Sequence, residues 1–151
     1  AKVAVVGAGA AGRSIVHALD VFGSAGRIVV INRTRSAAVE AAELSDVAVV
    51  GATDDIAGVD VVVNATSVGM GTEETPFDPR LLSAGQSVAD IVYHPRDTAL
   101  LRGARQVGAR PIDGLGMLVH QAVLQQELWT GTRPDPVVMR AAAEDTLSMR
   151  G

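Results

Sequence analysis

Apolar runs of strand length alternate with longer amphipathic stretches along the chain. This alternation is typical of a parallel sheet with helices on both faces. The apolar runs predict six strands, at 3–6, 27–31, 47–50, 59–64, 87–93 and 110–112. The amphipathic stretches predict helices at 10–22, 35–44, 78–82, 97–107, 114–130 and 135–149. We therefore expect an α/β domain whose six parallel strands follow the order 3-2-1-4-5-6, with ligands bound at the carboxyl ends of the strands.

A glycine-rich turn follows the first predicted strand and opens the first predicted helix. Residues 7–12 read Gly-Ala-Gly-Ala-Ala-Gly, which is the G-x-G-x-x-G spacing of dinucleotide-binding domains. In this spacing Gly7 permits a tight turn, Gly9 lets backbone N–H groups approach a pyrophosphate, and Gly12 lets helix and strand pack closely. The context predicts a Rossmann-type, doubly wound fold. The predicted cofactor contacts of the loop are Gly7, Ala8, Gly9, Ala10 and Ala11.

The end of the second predicted strand indicates which dinucleotide binds. An NAD site usually places Asp or Glu about 20 residues beyond the glycine loop, where the acid binds the ribose 2′-hydroxyl. This chain has no acid there and carries instead Asn32, Arg33, Thr34 and Arg35. The two guanidinium groups can meet a 2′-phosphate with charge-assisted hydrogen bonds, and the two neutral side chains can add further hydrogen bonds. The pattern favours NADP(H) as the cofactor.

Composition and charge narrow the class of protein. The 151 residues fit a single domain, 1–151, and an apolar fraction of 48% is enough to fill its core. A net charge of −4 gives no electrostatic reason to expect nucleic acid or a membrane as a partner. The chain has no cysteine and no metal-ligand spacing, so we expect no metal. No apolar run reaches the roughly 18 residues that span a bilayer. We expect a soluble, cytoplasmic protein.

Five short segments occur in the order found in one enzyme family. They are the Asn-Arg-Thr turn at 32–34, Asn-Ala-Thr-Ser-Val-Gly-Met at 64–70, Asp-Ile-Val-Tyr-His-Pro at 90–95, Asp-Gly-Leu-Gly-Met-Leu-Val-His-Gln-Ala at 113–122 and Glu-Leu-Trp-Thr-Gly at 127–131. With the glycine loop they resemble the NADP-binding, C-terminal domain of shikimate dehydrogenases, from the first strand to about residue 133. The resemblance implies reversible, NADPH-dependent reduction of 3-dehydroshikimate to shikimate, a step in the biosynthesis of chorismate and the aromatic amino acids.

The resemblance also implies roles for individual residues. Its matching positions at the nicotinamide end of the cofactor are Asn64, Ala65, Thr66, Ser67, Ile91 and, through its backbone, Gly114. Tyr93 and Gln121 match residues that reach the substrate. Tyr93 is expected at the end of the fifth strand, and the Gln121 amide can both donate and accept, which suits a polyol. Structural roles stay open: Asn64 can cap the following turn, Tyr93 can pack at a strand end, and Gln121 can be a solvated helix residue.

Two departures from the family pattern change what we expect. Many members carry a second basic residue where this chain has Ala37, so the preference for NADP rests mainly on Arg33, with Arg35 as a neighbouring substitute. The family's catalytic Lys and Asp lie in an N-terminal domain, whereas the single lysine here is Lys2, at the entrance to the first strand. We therefore expect no catalytic residue in this chain. It should bind NADP(H) alone but turn over shikimate negligibly.

The start of the chain fits this interpretation. It opens with Ala1 and Lys2 and enters an apolar strand at once, so we expect the sequence to be a piece of a longer protein. In that case the helices of 113–151 pack towards the missing N-terminal substrate domain. Leu147 and Met149 would then be partly unpartnered apolar side chains.

Three alternatives stay open beside the leading interpretation. They are a quinate/shikimate dehydrogenase relative, the cofactor domain of a glutamyl-tRNA reductase, and a nucleotide-binding module without catalysis. The missing acid after the second strand counts against NAD-dependent quinate dehydrogenases. The run at 114–121 and the lack of a basic surface for tRNA count against the second alternative. Homodimer formation is left open.

Overall fold

A six-stranded sheet forms the centre of the computed structural model, which describes residues 1–149. All strand pairs are parallel, and the strand order is β3-β2-β1-β4-β5-β6. The strands are β1 (Lys2–Val6), β2 (Arg27–Ile31), β3 (Ala48–Val50), β4 (Val61–Asn64), β5 (Ser87–Asp90) and β6 (Arg110–Ile112). The predicted α/β class, strand number and strand order are confirmed.

Five α-helices accompany the strands within the described residues. They are α1 (Ala10–Val21), α2 (Arg35–Ala42), α3 (Ala99–Gln106), α4 (Leu115–Thr130) and α5 (Pro136–Met149). The short helix predicted at 78–82 is a single 3₁₀ turn, Pro79–Leu81, and a second 3₁₀ turn at Thr53–Gly58 was not predicted. None of the helices among residues 1–149 combines the length and hydrophobicity that crossing a bilayer requires.

The fifth strand is shorter than its apolar run suggests. The prediction of 87–93 is wrong, because β5 ends at Asp90. Its neighbour β4 also ends at that level, with Asn64 paired to Asp90. The Asp90 carboxylate then accepts a hydrogen bond from the backbone N–H of Val92 at 3.0 Å, which turns the chain out of the sheet. Tyr93 therefore lies three residues beyond the strand and not at its end.

The core lies on both faces of the sheet, as the alternation within β1 shows. Val3 and Val5 belong to a cluster with Val16 of α1, whereas Ala4 and Val6 belong to one on the opposite face. That second cluster is completed by side chains such as Val62, Val88, Leu100 and Leu101. Because both faces are covered, the carboxyl edge of the strands is the part of the sheet left for a ligand.

The two last helices pack on each other. Leu115, Val119 and Val123 of α4 are buried, and Leu147 of α5 is partly buried against them. Leu147, which we expected to be partly unpartnered, is thus only partly buried, and Met149 is 79% exposed. Other apolar side chains of α4 and α5 are also exposed, namely Leu124, Leu128, Trp129, Val137 and Val138.

Gly12 of α1 packs closely against Gly7, in the turn that follows β1, and this contact predicts the effect of a substitution. A Cβ atom added to Gly12 would lie 2.0 Å from the Gly7 carbonyl oxygen. Gly12→Ala should therefore lower the free energy of unfolding by about 1–3 kcal/mol, the usual scale of overpacking. Urea unfolding followed by circular dichroism measures the change. Gly58→Ala is the control, since no atom lies within 4 Å of a Cβ at Gly58. Equal effects of the two substitutions would contradict the steric argument.

Candidate functional site

The glycine loop is pressed against the carboxyl ends of two strands. The Gly7 N–H donates to the Ile31 carbonyl oxygen at 2.8 Å. Gly7 has a φ of +109°, and a Cβ there would lie 2.9 Å from the Ala65 carbonyl oxygen. A Cβ at Gly9 would meet no atom within 4 Å, so this side of the loop is open. The first N–H groups of α1 face that opening without a side-chain cap, which makes the helix start suited to an anion.

The Asn32 side chain connects the glycine loop to the turn that follows β2. Its Oδ1 accepts from the Ala8 N–H at 3.2 Å, and its Nδ2 donates to the Thr34 carbonyl oxygen at 3.0 Å. Both ends of the amide are therefore used within the protein. Asn32 fixes the position of the loop relative to Arg33 and Thr34, a role that the sequence did not reveal.

The larger of two neighbouring cavities lies beside this turn and has a volume of about 670 Å³. Gly7, Asn32, Arg33 and Thr34 line it, and no Asp or Glu does. Arg33 is exposed, and within residues 1–149 it forms no ion pair. The cavity therefore offers an uncompensated guanidinium group to an anionic ligand.

Several lining residues of this cavity were not predicted. They follow β3 or lie in the loop after β4, namely Gly51, Ala52, Thr53, Thr75 and Pro76. The only available signal was positional: 51–53 directly follows a predicted strand, and the carboxyl ends of neighbouring parallel strands meet at one edge. Arg35, in contrast, is the first residue of α2 and does not line the cavity.

The smaller cavity lies on the other side of the glycine loop and has a volume of about 280 Å³. Of the predicted site residues it is lined by Ala11, Ala65, Thr66, Ser67, Ile91, Tyr93, Gly114 and Gln121. Thr66 lines both cavities, so the two form neighbouring halves of one cleft. The predicted substrate contacts Tyr93 and Gln121 thus meet at one cavity although they come from different elements.

Four other predicted contacts, apart from Arg35, do not line either cavity. They are Ala8, Gly9, Ala10 and Asn64. Gly9 and Ala10 are exposed on the open side of the loop described above, whereas Ala8 is buried in the core. Asn64 is completely buried. Its Oδ1 accepts from the Thr66 hydroxyl at 2.7 Å and from the Thr66 N–H at 3.0 Å. Asn64 therefore supports the wall of the cleft without lining it. This agrees with the alternative that Asn64 caps the following turn.

Asp90 is the centre of this buried polar network, and in the sequence it is an acid inside the apolar run that predicts the fifth strand, 87–93. Its carboxylate accepts from Asn64 Nδ2 at 2.9 Å and from the Thr98 hydroxyl at 2.8 Å, in addition to the Val92 N–H. Burial raises the pKa of Asp90, and the hydrogen bonds from Thr98, Val92 and Asn64 oppose that rise. The network joins the segment after β4 to the segment after β5 and to the start of α3.

Gly114 lies where the turn between β6 and α4 touches the residue after β5. A Cβ at Gly114 would lie 2.5 Å from the Ile91 carbonyl oxygen. Glycine is thus required by packing, and the backbone of the turn becomes part of the cavity wall. Within residues 1–149, no group of His, Asp or Glu side chains is arranged to hold a metal ion.

Comparisons with known proteins find similarity to shikimate dehydrogenases. The family described as Shikimate 5'-dehydrogenase C-terminal domain matches residues 114–144. A relative from Pyrococcus abyssi, named shikimate dehydrogenase (NADP(+)), is 43% identical over an alignment of 151 positions that covers 97% of this chain and 55% of the relative. A relative of the same name from Methanocella arvoryzae is 40% identical over 96% of this chain and 56% of its own length.

Solved structures of two dehydrogenases with different cofactors are similar to this chain in fold. Shikimate 5-dehydrogenase from Thermus thermophilus, in complex with NADP(H) and shikimate, has a TM-score of 0.87 and 34% identity, over 95% of this chain and 54% of that one. Quinate dehydrogenase from Corynebacterium glutamicum, in complex with NAD, has a TM-score of 0.87 and 35% identity, over 95% of this chain and 55% of that one.

The parallel sheet in this order, with a cleft at its carboxyl edge, defines a Rossmann-type domain of the dinucleotide-binding class. The matches are more specific. Nearly the whole chain is similar to proteins named shikimate dehydrogenase, and residues 114–144 match the family described as Shikimate 5'-dehydrogenase C-terminal domain. The chain spans about half the length of the relatives that it matches.

The buried carboxyl of Asp90 predicts a pH dependence of stability. Because burial raises the pKa of Asp90, the folded chain holds this proton more tightly than the unfolded chain does. Its contribution to stability is therefore greatest below the ordinary Asp pKa and falls as the pH rises towards the folded-state pKa. The unfolding free energy of the wild type minus that of Asp90→Asn should decrease between about pH 3 and about pH 7.

Urea unfolding at a series of pH values measures this difference. Asp46→Asn, at an exposed position, is the matched control and should show no such trend. A difference that grows with pH for Asp90→Asn would show that the three hydrogen bonds outweigh burial.

Proposed function

We propose that this chain binds NADP(H) and forms the cofactor-binding half of a shikimate dehydrogenase, which interconverts 3-dehydroshikimate and shikimate. The observation that carries the proposal is Arg33, an exposed and unpaired guanidinium group among residues 1–149, in an acid-free cavity beside the glycine loop. The names of the relatives and of the Thermus thermophilus complex support the same cofactor and substrate.

The larger cavity suits the adenosine end of the cofactor. Arg33 can form charge-assisted hydrogen bonds with a 2′-phosphate, and the Thr34 hydroxyl can add a neutral one. A carboxylate at this position would repel the phosphate, and no carboxylate lines the cavity. The N–H groups at the start of α1 lie between the two cavities and suit the pyrophosphate.

The smaller cavity suits the nicotinamide end. When bound there, NADPH supplies the hydride for the reduction. The largely apolar wall, with Ala65, Ile91 and Met117, matches the flat ring, and Gly114 lets the backbone come close to it. Tyr93 is 37% exposed and lines the same cavity as Gln121, so a hydroxyl group and an amide face the place where a polyol substrate would lie.

The proton that balances hydride transfer needs a separate donor. The chain's single lysine, Lys2, begins β1 and lies at the opposite end of the strands from the cleft. We therefore propose that an acid–base residue of an N-terminal domain completes the site. The exposed apolar side chains of α4 and α5 offer a surface on which such a domain can pack, with Leu128 at 83% exposure and Trp129 at 74% as its most exposed members on α4.

The charge of Arg33 predicts a selective change in cofactor affinity. The wild type should bind NADP⁺ more tightly than NAD⁺, since only NADP⁺ carries the 2′-phosphate. Arg33→Ala should weaken NADP⁺ binding by about 1–3 kcal/mol, the scale for losing hydrogen bonds to a charged group, and leave NAD⁺ nearly unchanged. Calorimetric titration measures both affinities.

Arg27→Ala is the matched control for this substitution. Arg27 is also exposed but begins β2, at the end of the strand remote from the larger cavity. It should leave both affinities unchanged. Equal weakening of NADP⁺ and NAD⁺ by Arg33→Ala would refute recognition of the 2′-phosphate.

The position of Lys2 predicts that cofactor binding and turnover separate in this chain. The chain should bind NADPH but should not oxidise it above background when 3-dehydroshikimate is added, because no lysine reaches the cleft. The absorbance of NADPH measures turnover, and a calorimetric titration of the same sample verifies binding. Steady oxidation that depends on 3-dehydroshikimate would contradict the need for an external acid–base residue.

A further inference from the structure

We propose that Arg96 is a positioning residue for the smaller cavity, because it ties together three segments that form or support the wall of that cavity. These segments are the loop at 91–98, the turn between β6 and α4, and helix α5. The assignment of a ligand to the cavity rests on the proposed function. The linkage of the three segments rests on the hydrogen bonds that Arg96 forms.

The first contact joins the loop at 91–98 to the turn before α4. The Nη2 and Nε atoms of Arg96 donate to Asp113 Oδ2 at 2.7 and 3.2 Å. The hydrogen bonds from Arg96 to Asp113 are the main reason why the pKa of Arg96 is raised. The other carboxylate oxygen of Asp113 accepts from the N–H of Leu115 at 3.2 Å, at the first residue of α4.

This contact acts on the cavity through Gly114. Gly114 lies between Asp113 and Leu115, and its backbone is pressed on the Ile91 carbonyl, where a Cβ would come within 2.5 Å. Gly114 and Ile91 both line the smaller cavity. By holding Asp113, Arg96 therefore holds the two backbone segments whose close approach forms this wall.

The second contact brings in α5, which does not line the smaller cavity itself. Arg96 Nη1 donates to Glu144 Oε1 at 3.4 Å, and the same oxygen accepts from Arg140 Nε at 3.2 Å. A separate cavity of about 310 Å³ lies between the loop and α5, lined by Tyr93 and Glu144 among others. Tyr93 thus has the smaller cavity on one side and the α5 contact region on the other.

The effect of Arg96 on the cavity wall should exceed its contribution to the free energy of unfolding. The Arg96 side chain is 40% exposed, and an ion pair at that exposure contributes little to the free energy of unfolding. Two N–H groups on one carboxylate oxygen do, however, restrict the relative placement of the segments they join. Loss of Arg96 should therefore disturb the smaller cavity more than the fold.

The test compares two ligands that occupy different parts of the cleft. NADP⁺ would fill both cavities, whereas adenosine 2′,5′-bisphosphate would fill only the larger one. Arg96→Gln should weaken NADP⁺ about three- to tenfold, the effect of losing a partly exposed charged network, and change adenosine bisphosphate binding less than about twofold. Glu144→Gln should change NADP⁺ binding in the same direction by less, because it removes only the α5 contact.

Arg105→Gln is the matched control. It removes the same charge and breaks the exposed ion pair with Asp97, a residue of the same loop that does not line the smaller cavity. It should change neither affinity. Equal weakening of both ligands by Arg96→Gln, or no weakening of NADP⁺, would overturn the inference.

Amide hydrogen exchange tests, without any ligand, whether Arg96 holds the turn before α4 in place. The amide of Leu115 should exchange faster in Arg96→Gln than in Arg105→Gln. Equal rates would contradict the claim that Arg96 holds this turn. If the wild type bound neither ligand, the proposed function would fail, and the exchange rates would still decide whether Arg96 holds the turn.

Discussion

The close approach of backbone segments at the carboxyl edge of the sheet is the constraint on which the cleft depends. Gly12 lies against the Gly7 carbonyl, and Gly114 lies against the Ile91 carbonyl. At each place the distance leaves no room for a side chain. The loop before α1 and the turn before α4 are therefore fixed by contacts of their own backbone, and each borders one part of the cleft.

Hydrogen bonds between buried polar groups also hold the segments around the cleft in place. Asp90 receives hydrogen bonds from Asn64, Val92 and Thr98, and Asn64 in turn holds Thr66, the residue shared by the two cavities. These groups are well satisfied, so the cost of burying them is offset by hydrogen bonds that specify one arrangement of the loops. Buried side chains that do not themselves line the cleft, such as Asp90 and Asn64, therefore hold its wall in place.

The sequence was most informative where a physical pattern is local. Alternating apolar runs predicted the strands, and the glycine spacing predicted the loop, because both depend on residues close together in the chain. The sequence was less informative where the local structure depends on a contact between residues far apart in the chain. The apolar run after Ser87 could not reveal that the Asp90 carboxylate turns the chain at Val92, and Asn64 looked like a ligand contact because its partner Asp90 is 26 residues away. Gly51 and Thr53 were missed because their short turn carries no periodic signal.

The Asn32 amide has a consequence for attempts to exchange one nucleotide preference for another. Its two ends hold the Ala8 N–H and the Thr34 carbonyl, so a side chain that lines the larger cavity also sets the shape of the glycine loop. An acid introduced at this position would keep an acceptor for Ala8 but lose the donor for Thr34. The lining of the larger cavity and the position of the glycine loop are coupled through a single amide, so a substitution of Asn32 has to preserve both of its hydrogen bonds or replace them together.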